Sequence, residues 1–273
     1  MECFDSFKER ITEVTLIAAA AEEALDKRTP SERLKANAMT RAGLVLLCGY
    51  FEGYIREAVE EFVDIVHDEA VGVNDLPSGL FCSVIEDIPI KRKKSKSDGA
   101  VFNFKASVLE NSAVLLDRGK LSKTGGNPTV AVVESIFEAI GIPSIIDELS
   151  VTDYSVDSTF VLERQADKLR AGFNEALISE YGVPSPELLE RLLAQIDRSW
   201  QPLKKRRKVG YVSDIEEMLK LRNRIAHGEG LPQITPLELF ETASKIESLA
   251  LGISERIEGL IRSLSSPQVE QPV

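Results

Sequence analysis

The sequence predicts an all-α fold. Apolar residues recur at intervals of three and four along most of the 273 residues, the spacing of one face of an α-helix. No stretch shows the strict alternation of apolar and polar residues that is typical of a half-buried strand. Residues 44–51 are apolar on every side, as expected of a helix at the centre of a bundle. Together these observations favour a helical bundle with one central helix.

Two long helices are predicted at the start of the chain. The first carries Phe4, Phe7, Ile11 and Val14 on one face and ends just before Pro30. Pro30 stands where it can open a second helix, because proline is favoured in the first helical turn. That second helix continues to about residue 67 or 69. Glycines and prolines then interrupt the pattern up to residue 128, and we expect one helix in that stretch, at residues 104–116.

The rest of the chain is also predicted to be helical. The expected helices lie at residues 129–140, 157–181, 186–200, 213–228 and 236–264. The fourth of these opens with Ser213 as N-cap and Glu216 three residues later, the arrangement of a capping box. Gly228 is a natural stop for it. The polar residues 265–273 contain two prolines and are expected to be disordered.

Composition excludes several classes of protein. Three widely spaced cysteines form neither a disulfide framework nor a zinc knuckle. The only histidines are His67, expected at the surface near a helix end, and His227, so a His-rich metal centre is not predicted. The longest uncharged apolar stretch, residues 42–51, is half of the roughly 20 residues that a membrane span needs. Because the first residues are also acidic, where a signal peptide is basic, we expect a soluble, cytoplasmic protein.

Positive charge is concentrated in two places. The net charge is −11, so bulk charge does not attract this chain to nucleic acid. Ten of the 33 basic residues nevertheless lie in two runs: Lys91, Arg92, Lys93, Lys94 and Lys96, and then Lys204, Lys205, Arg206, Arg207 and Lys208. Each run is compatible with a nuclear-import-like signal, a solvated loop or a phosphate-binding arm.

The helix at residues 213–228 carries the most informative side chains. Its apolar stripe consists of Ile215, Met218, Leu219, Ile225 and Ala226. Arg222 lies within that stripe, where a guanidinium is costly unless it is paired or faces a cleft. Asn223 and His227 are four residues apart and share a neighbouring face. Spacing alone leaves two interpretations open. Either Arg222 pairs with an acid such as Glu52 while His227 caps the helix, or these side chains form a site.

The residues of this helix end match a known family. Arg222-Asn223-Arg224-Ile225-Ala226-His227 resembles the Arg-x4-His motif of HEPN (higher eukaryotes and prokaryotes nucleotide-binding) domains, in their stand-alone prokaryotic RNase-like branch. Residues 44–56, with their Phe-Glu-Gly-Tyr cluster, are similar to the second helix of that family, and residues 127–141 are similar to a segment that precedes its motif. The resemblance implies a HEPN-like antiparallel helical bundle over residues 1–264, with insertions at 71–126 and 151–212.

The resemblance also implies an activity. HEPN enzymes of this branch cut RNA without a metal or cofactor, as dimers whose two motifs face each other. By this resemblance His227 is the acid/base, Arg222 clamps the phosphate and Asn223 is an orienting hydrogen-bonder. Glu52 is expected to hold Arg222 in place. The products are a 2',3'-cyclic phosphate and a 5'-hydroxyl, and the two basic runs are candidate RNA contacts.

The biological setting and the alternatives follow from the same resemblance. It implies a toxin or anti-phage defence effector that acts on RNA, with tRNA as one candidate, and that is restrained by an antitoxin or a sensor protein. Two alternatives stay open. One is a non-catalytic helical scaffold or RNA-binding regulatory module, and the other is a nucleotide-binding regulator.

Overall fold

Helices make up most of the described structure. The structure, a computed structural model, describes residues 1–86, 103, 105–113, 115–163, 190, 203–228 and 232–265. The labelled elements are α1 (Glu2–Asp26), α2 (Pro30–Asp68), α3 (Ser78–Glu86), α4 (Arg118–Leu121), α5 (Val130–Ala139), α6 (Ile145–Tyr154), β1 (Phe160–Glu163), β2 (Leu203–Arg206), α7 (Tyr211–Ala226) and α8 (Pro236–Ser265). Val73–Asp75 forms a 3-10 turn, and residues 105–110 are helical. The predicted all-α fold is confirmed.

The centre of the bundle is the contact of α1, α2 and α8. Only three residues join α1 to α2, so the two helices run antiparallel. Gly43 of α2 lets α8 approach closely, because a Cβ added there would lie 2.6 Å from a Leu239 methyl group. Tyr54 is completely buried, and its hydroxyl donates to the Ala250 carbonyl of α8 at 2.6 Å. These contacts fix α2 as the central helix, as its apolar pattern predicted.

The helix α7 begins earlier than the sequence predicts. Its N-cap is Gly210, with φ +56°, and a Cβ at that position would lie 2.7 Å from the Cβ of Ser150 in α6. Ser150 Oγ accepts the N–H of Tyr211 at 3.1 Å and so takes the role of the capping side chain. The prediction of Ser213 as N-cap is therefore wrong, and its hydroxyl instead donates to Glu217 at 3.3 Å. The cap comes from a residue 61 positions away, which no local pattern reveals.

A short antiparallel strand pair replaces part of a predicted helix. β1 pairs with β2 in the register Phe160 to Arg206. The predicted helix at 157–181 is therefore wrong over β1. The N–H of Thr159 donates to Asp147 at 2.5 Å and holds the chain extended as it enters that strand. Residues 157–159 are described and are not helical either. Residues 164–181 of that prediction lie outside the described residues, as do the predicted helix at 186–200 apart from residue 190 and the tail beyond residue 265.

Other segments differ in detail from the predictions. Helical geometry ends at residue 110 in the stretch predicted as 104–116, and α3, α4 and α6 were not predicted. His67 is half-buried, and its Nε2 accepts the N–H of Leu116 at 2.9 Å, so it holds the connecting segment against α2.

Within the described ranges, none of the helices has both the length and the apolar character that a membrane crossing requires.

Candidate functional site

The C-terminal end of α7 carries the three predicted catalytic residues. α7 ends at Ala226, and His227 is its C-cap, with its N–H donating to the Asn223 carbonyl at 2.9 Å. Gly228, at φ +67°, then turns the chain away from the helix axis. The imidazole of His227 is exposed. This end of the helix is therefore fixed by its backbone while its titratable side chain is left accessible to a substrate.

Arg222 lies on the side of α7 that faces α2. Its side chain is half-buried, and its Nη1 donates to Asn223 Oδ1 at 3.1 Å. Burial raises the pKa of the Cys48 thiol in α2 to about 12, and the nearby guanidinium of Arg222 opposes that rise. Among the residues that the structure describes, no carboxylate lies within ion-pair distance of Arg222. A partly desolvated cation without a carboxylate is suited to bind an anion from outside.

The predicted pair of Glu52 with Arg222 is not formed. Oε1 of Glu52 instead accepts the hydroxyl of Thr124 at 2.8 Å. Glu52 therefore anchors the segment before α5 to α2, and Asn223, rather than Glu52, is the side chain that touches Arg222.

An open groove of about 940 Å³ lies beside His227. One wall is the outward face of α7, where Asn223 and His227 lie, and the other is the first turn of α5, from Thr129 to Ala131. We call it the α5–α7 groove. Within the described part of the chain, its walls do not include Arg222. Asn223 thus links the two sides of α7, since it bonds Arg222 and also lines the groove with His227.

One face of α2 is apolar and exposed. From Lys35 to Arg56, all exposed residues of this helix between those two are apolar or glycine: Ala38, Ala42, Val45, Leu46 and Gly49. We call these five residues the α2 stripe. Val45 and Leu46 keep 39% and 38% of their surface exposed. Residues 44–51 are therefore not all buried, although α2 has the central position that their apolar pattern favoured. An exposed apolar strip of this kind is typical of a surface that another molecule covers.

Family membership follows from a comparison with protein-family models. The model described as RiboL-PSP-HEPN matches residues 5–259. The chain belongs to the RiboL-PSP-HEPN family. Neither the curated proteins nor the solved structures give a match. Membership indicates an RNA-related, nuclease-type domain, because HEPN domains are generally RNase-like.

In this HEPN chain, Arg206 of the second basic run has a structural role. Its Nη2 lies 2.7 Å from Glu134 Oε1 of α5, and both side chains are largely buried. Its guanidinium carbon lies 4.7 Å from the centre of the Phe160 ring in β1. Arg206 therefore joins the strand pair to α5, and it is not available as an RNA contact in the way the sequence suggested.

The neighbours of Arg206 are also engaged. Arg207 donates to the Ser158 carbonyl, and Lys208 Nζ lies 2.6 Å from Glu216 Oε2 of α7. Lys205 is exposed on β2, and Lys204 lies on the same strand. The first run, with Lys91, Arg92, Lys93, Lys94 and Lys96, lies outside the described residues, so its role stays a prediction.

Two cations of the groove were missed by the sequence interpretation. Lys220 and Arg224 line the α5–α7 groove together with His227. The signal was present in the sequence, because positions 220, 224 and 227 are spaced by four and three and so share one helical face. Among the described residues, no three or more histidine, cysteine or carboxylate side chains are grouped so that they could hold a metal ion.

Proposed function

We propose that this HEPN protein is a metal-independent endoribonuclease that cleaves RNA through its own 2'-hydroxyl at a site shared by two protomers. The observation that carries the proposal is the end of α7, where an exposed imidazole and an amide face an open groove. A guanidinium without a carboxylate partner among the described residues is bonded to that amide.

The residue types suit this reaction. Attack of the 2'-hydroxyl on the phosphate needs a base for that hydroxyl, an acid for the leaving 5'-oxygen and positive charge on the pentacoordinate phosphate. In the proposal His227 accepts the proton of the 2'-hydroxyl and donates a proton to the leaving 5'-oxygen, because an imidazole can act both as a base and as an acid. Arg222 binds the phosphate oxygens with its planar fork, and Asn223 fixes the guanidinium in place. The products are a 2',3'-cyclic phosphate and a 5'-hydroxyl.

The positions of Arg222 and His227 favour a shared site. They are five positions apart, which turns their side chains about 140° apart around α7. Arg222 faces α2 while His227 faces the groove. A second copy that covers the α2 stripe would bring its own motif toward Arg222, since a two-fold interface uses the same patch on both protomers. We therefore propose a homodimer in which each site takes Arg222 from one protomer and His227 from the other.

Val45→Glu tests the dimer. A carboxylate placed in the α2 stripe would be buried by the partner, so we expect monomers in light scattering and the loss of RNA cleavage. Leu251→Glu is the matched control, because Leu251 is an exposed leucine of α8, outside the stripe, and is 44% exposed. A Val45→Glu protein that stays dimeric like the control would contradict the assigned interface.

RNA cleavage in EDTA tests the activity. Wild type, His227→Ala and Arg222→Ala are incubated with total tRNA and with a structured RNA, and the product ends are mapped. We expect cyclic phosphates from the wild type and a rate lower by about 100-fold or more for His227→Ala, the usual contribution of a general acid or base. Equal cleavage by His227→Ala would show that the site is wrong. No cleavage by a dimeric wild type would favour a scaffold.

The biological role is part of the proposal. An unregulated RNase harms its own cell, so we propose that the protein is a toxin or defence effector in the cytoplasm, restrained by an antitoxin or a sensor. Induced expression of the wild type is then expected to arrest growth, whereas His227→Ala is tolerated at the same protein level. Equal growth of both strains would argue against this role.

A further inference from the structure

The α5–α7 groove extends well beyond the side chains assigned to the reaction. It follows α7 from Ser213 to His227, a rise of about 20 Å along the helix axis. Its floor includes Leu219 and Val130, so its interior is partly apolar. A groove of this length with His227 at one end has room for a chain that continues away from the reacting phosphate.

Charge is unevenly distributed along this groove. Near the start of α7, Lys208 is neutralised by Glu216 at 2.6 Å, and Glu217 lies beside them. Near the end of α7, Lys220 and Arg224 line the wall next to His227. Within the described ranges, neither of these two cations has an ion-pair or hydrogen-bond partner for its side chain. The half of the groove that is positive is therefore the half that carries His227.

The second basic run is less available to bind a phosphate. Arg206 is held by Glu134 and stacks on Phe160, and Lys208 is held by Glu216. A phosphate would have to displace a carboxylate to reach either of them. By contrast, no carboxylate among the described residues holds Lys220 or Arg224, and both side chains are exposed.

We propose that the positive half of the α5–α7 groove binds the single-stranded RNA segment next to the cleaved phosphate, with Lys220 and Arg224 as its phosphate contacts. The apolar floor then lies under the sugars and bases, which stack on or pack against apolar side chains in single-strand sites. This inference rests on the proposed function for the identity of the ligand. It assigns RNA binding to α7 rather than to the second basic run, which begins within β2.

The salt dependence of RNA binding tests the assignment. The parent protein is His227→Ala, so that the RNA stays intact, and the probe is a labelled single-stranded RNA of mixed sequence in EDTA. Binding is measured between about 50 and 200 mM salt for the parent and for the parent with Lys220→Ala and Arg224→Ala. The matched control carries Lys8→Ala and Arg33→Ala, which remove the same charge from exposed positions on α1 and α2.

The inference predicts a difference in slope between the two double variants. Each phosphate contact on a single strand contributes about 0.7 to the slope of log K against log salt, so the groove variant should be flatter by about 1.4. The control should keep the slope of the parent. Equal slopes for the groove variant and the control would overturn the inference, as would a parent that binds no RNA.

The salt-dependence experiment and the RNA cleavage assay can fail independently of each other. Wild-type cleavage in EDTA together with equal slopes would support the nuclease and contradict the assignment of RNA binding to the groove. A flatter slope for the groove variant together with no wild-type cleavage would support RNA binding in the groove and contradict the nuclease. Thermal melts of both double variants check that the exposed substitutions leave the fold intact.

Discussion

Replacing Arg206 with methionine should weaken the fold rather than RNA binding. The substitution removes the ion pair with Glu134 at 2.7 Å and the contact with the Phe160 ring at 4.7 Å, while it keeps an apolar stem. The paired side chains are 21% and 16% exposed, so they lie between surface and core. Surface pairs contribute about 0–1 kcal/mol, whereas loss of one partner of a buried pair costs about 3–5 kcal/mol.

The loss of stability expected for Arg206→Met lies between those of a surface pair and a buried pair. We take about 2 kcal/mol for the ion pair and about 0.5–1 kcal/mol for the cation–π contact, which gives a loss of about 2–3 kcal/mol in the free energy of unfolding. For a chain of this size that corresponds to a fall of about 5–10 °C in Tm.

Thermal unfolding measures this loss directly. Glu134→Gln alone and combined with Arg206→Met complete a double-mutant cycle, for which we expect a coupling of about 1–2 kcal/mol. Lys8→Met is the control, because it removes an exposed cation that has no ion-pair partner among the described residues. The reasoning is refuted if Arg206→Met melts like the control and instead flattens the salt dependence of RNA binding. That result would restore Arg206 as an RNA contact.

Two further predictions concern the core and the response to pH. Tyr54→Phe removes buried hydrogen bonds to the Ala250 carbonyl and the Ser254 hydroxyl, so Tm should fall by about 2–6 °C, and an unchanged Tm in calorimetry would contradict the role of that hydroxyl. Burial alone would raise the pKa of Asp147, but hydrogen bonds led by those from Thr159 outweigh it and hold this pKa below its ordinary value. Since a lowered carboxyl pKa stabilises the fold above the unfolded pKa of about 4, Asp147→Asn should lose stability in urea at pH 7. The difference in the free energy of unfolding between Asp147→Asn and wild type should shrink as the pH falls below that value. A difference that stays constant with pH would contradict the stabilising role of the Asp147 carboxylate.

The long helices were predictable because their signals are local. Apolar spacing and Pro30 place α2 at residues 31 to 67 or 69, and the structure has Pro30–Asp68. The start of α6 was not predicted. Its N-cap, Ser144, has a left-handed backbone conformation, and its side chain does not cap the helix. The strand pair joins residues 46 positions apart at Phe160 and Arg206, and a run of lysines and arginines gives no strand pattern.

The site was predictable in its residues but not in its surroundings. A short motif places Arg222, Asn223 and His227 on one helix end, and α7 carries them there. The opposite wall of the groove comes from Thr129 at the start of α5, far along the chain, so only the fold brings it near His227. The exposure of Val45 could not be predicted either, since an apolar helix face has the same pattern in a core and in an interface.

Complementation between two inactive variants tests the central claim most directly. Arg222→Ala and His227→Ala proteins are mixed under conditions that exchange subunits, and RNA cleavage in EDTA is compared with that of each variant alone and of the wild type. A shared site predicts recovery to roughly a quarter of the wild-type rate. Random pairing makes half of the dimers mixed, and each mixed dimer has one intact site. No recovery, with an active wild type, would contradict a site built from two protomers, and an inactive dimeric wild type would contradict the nuclease itself.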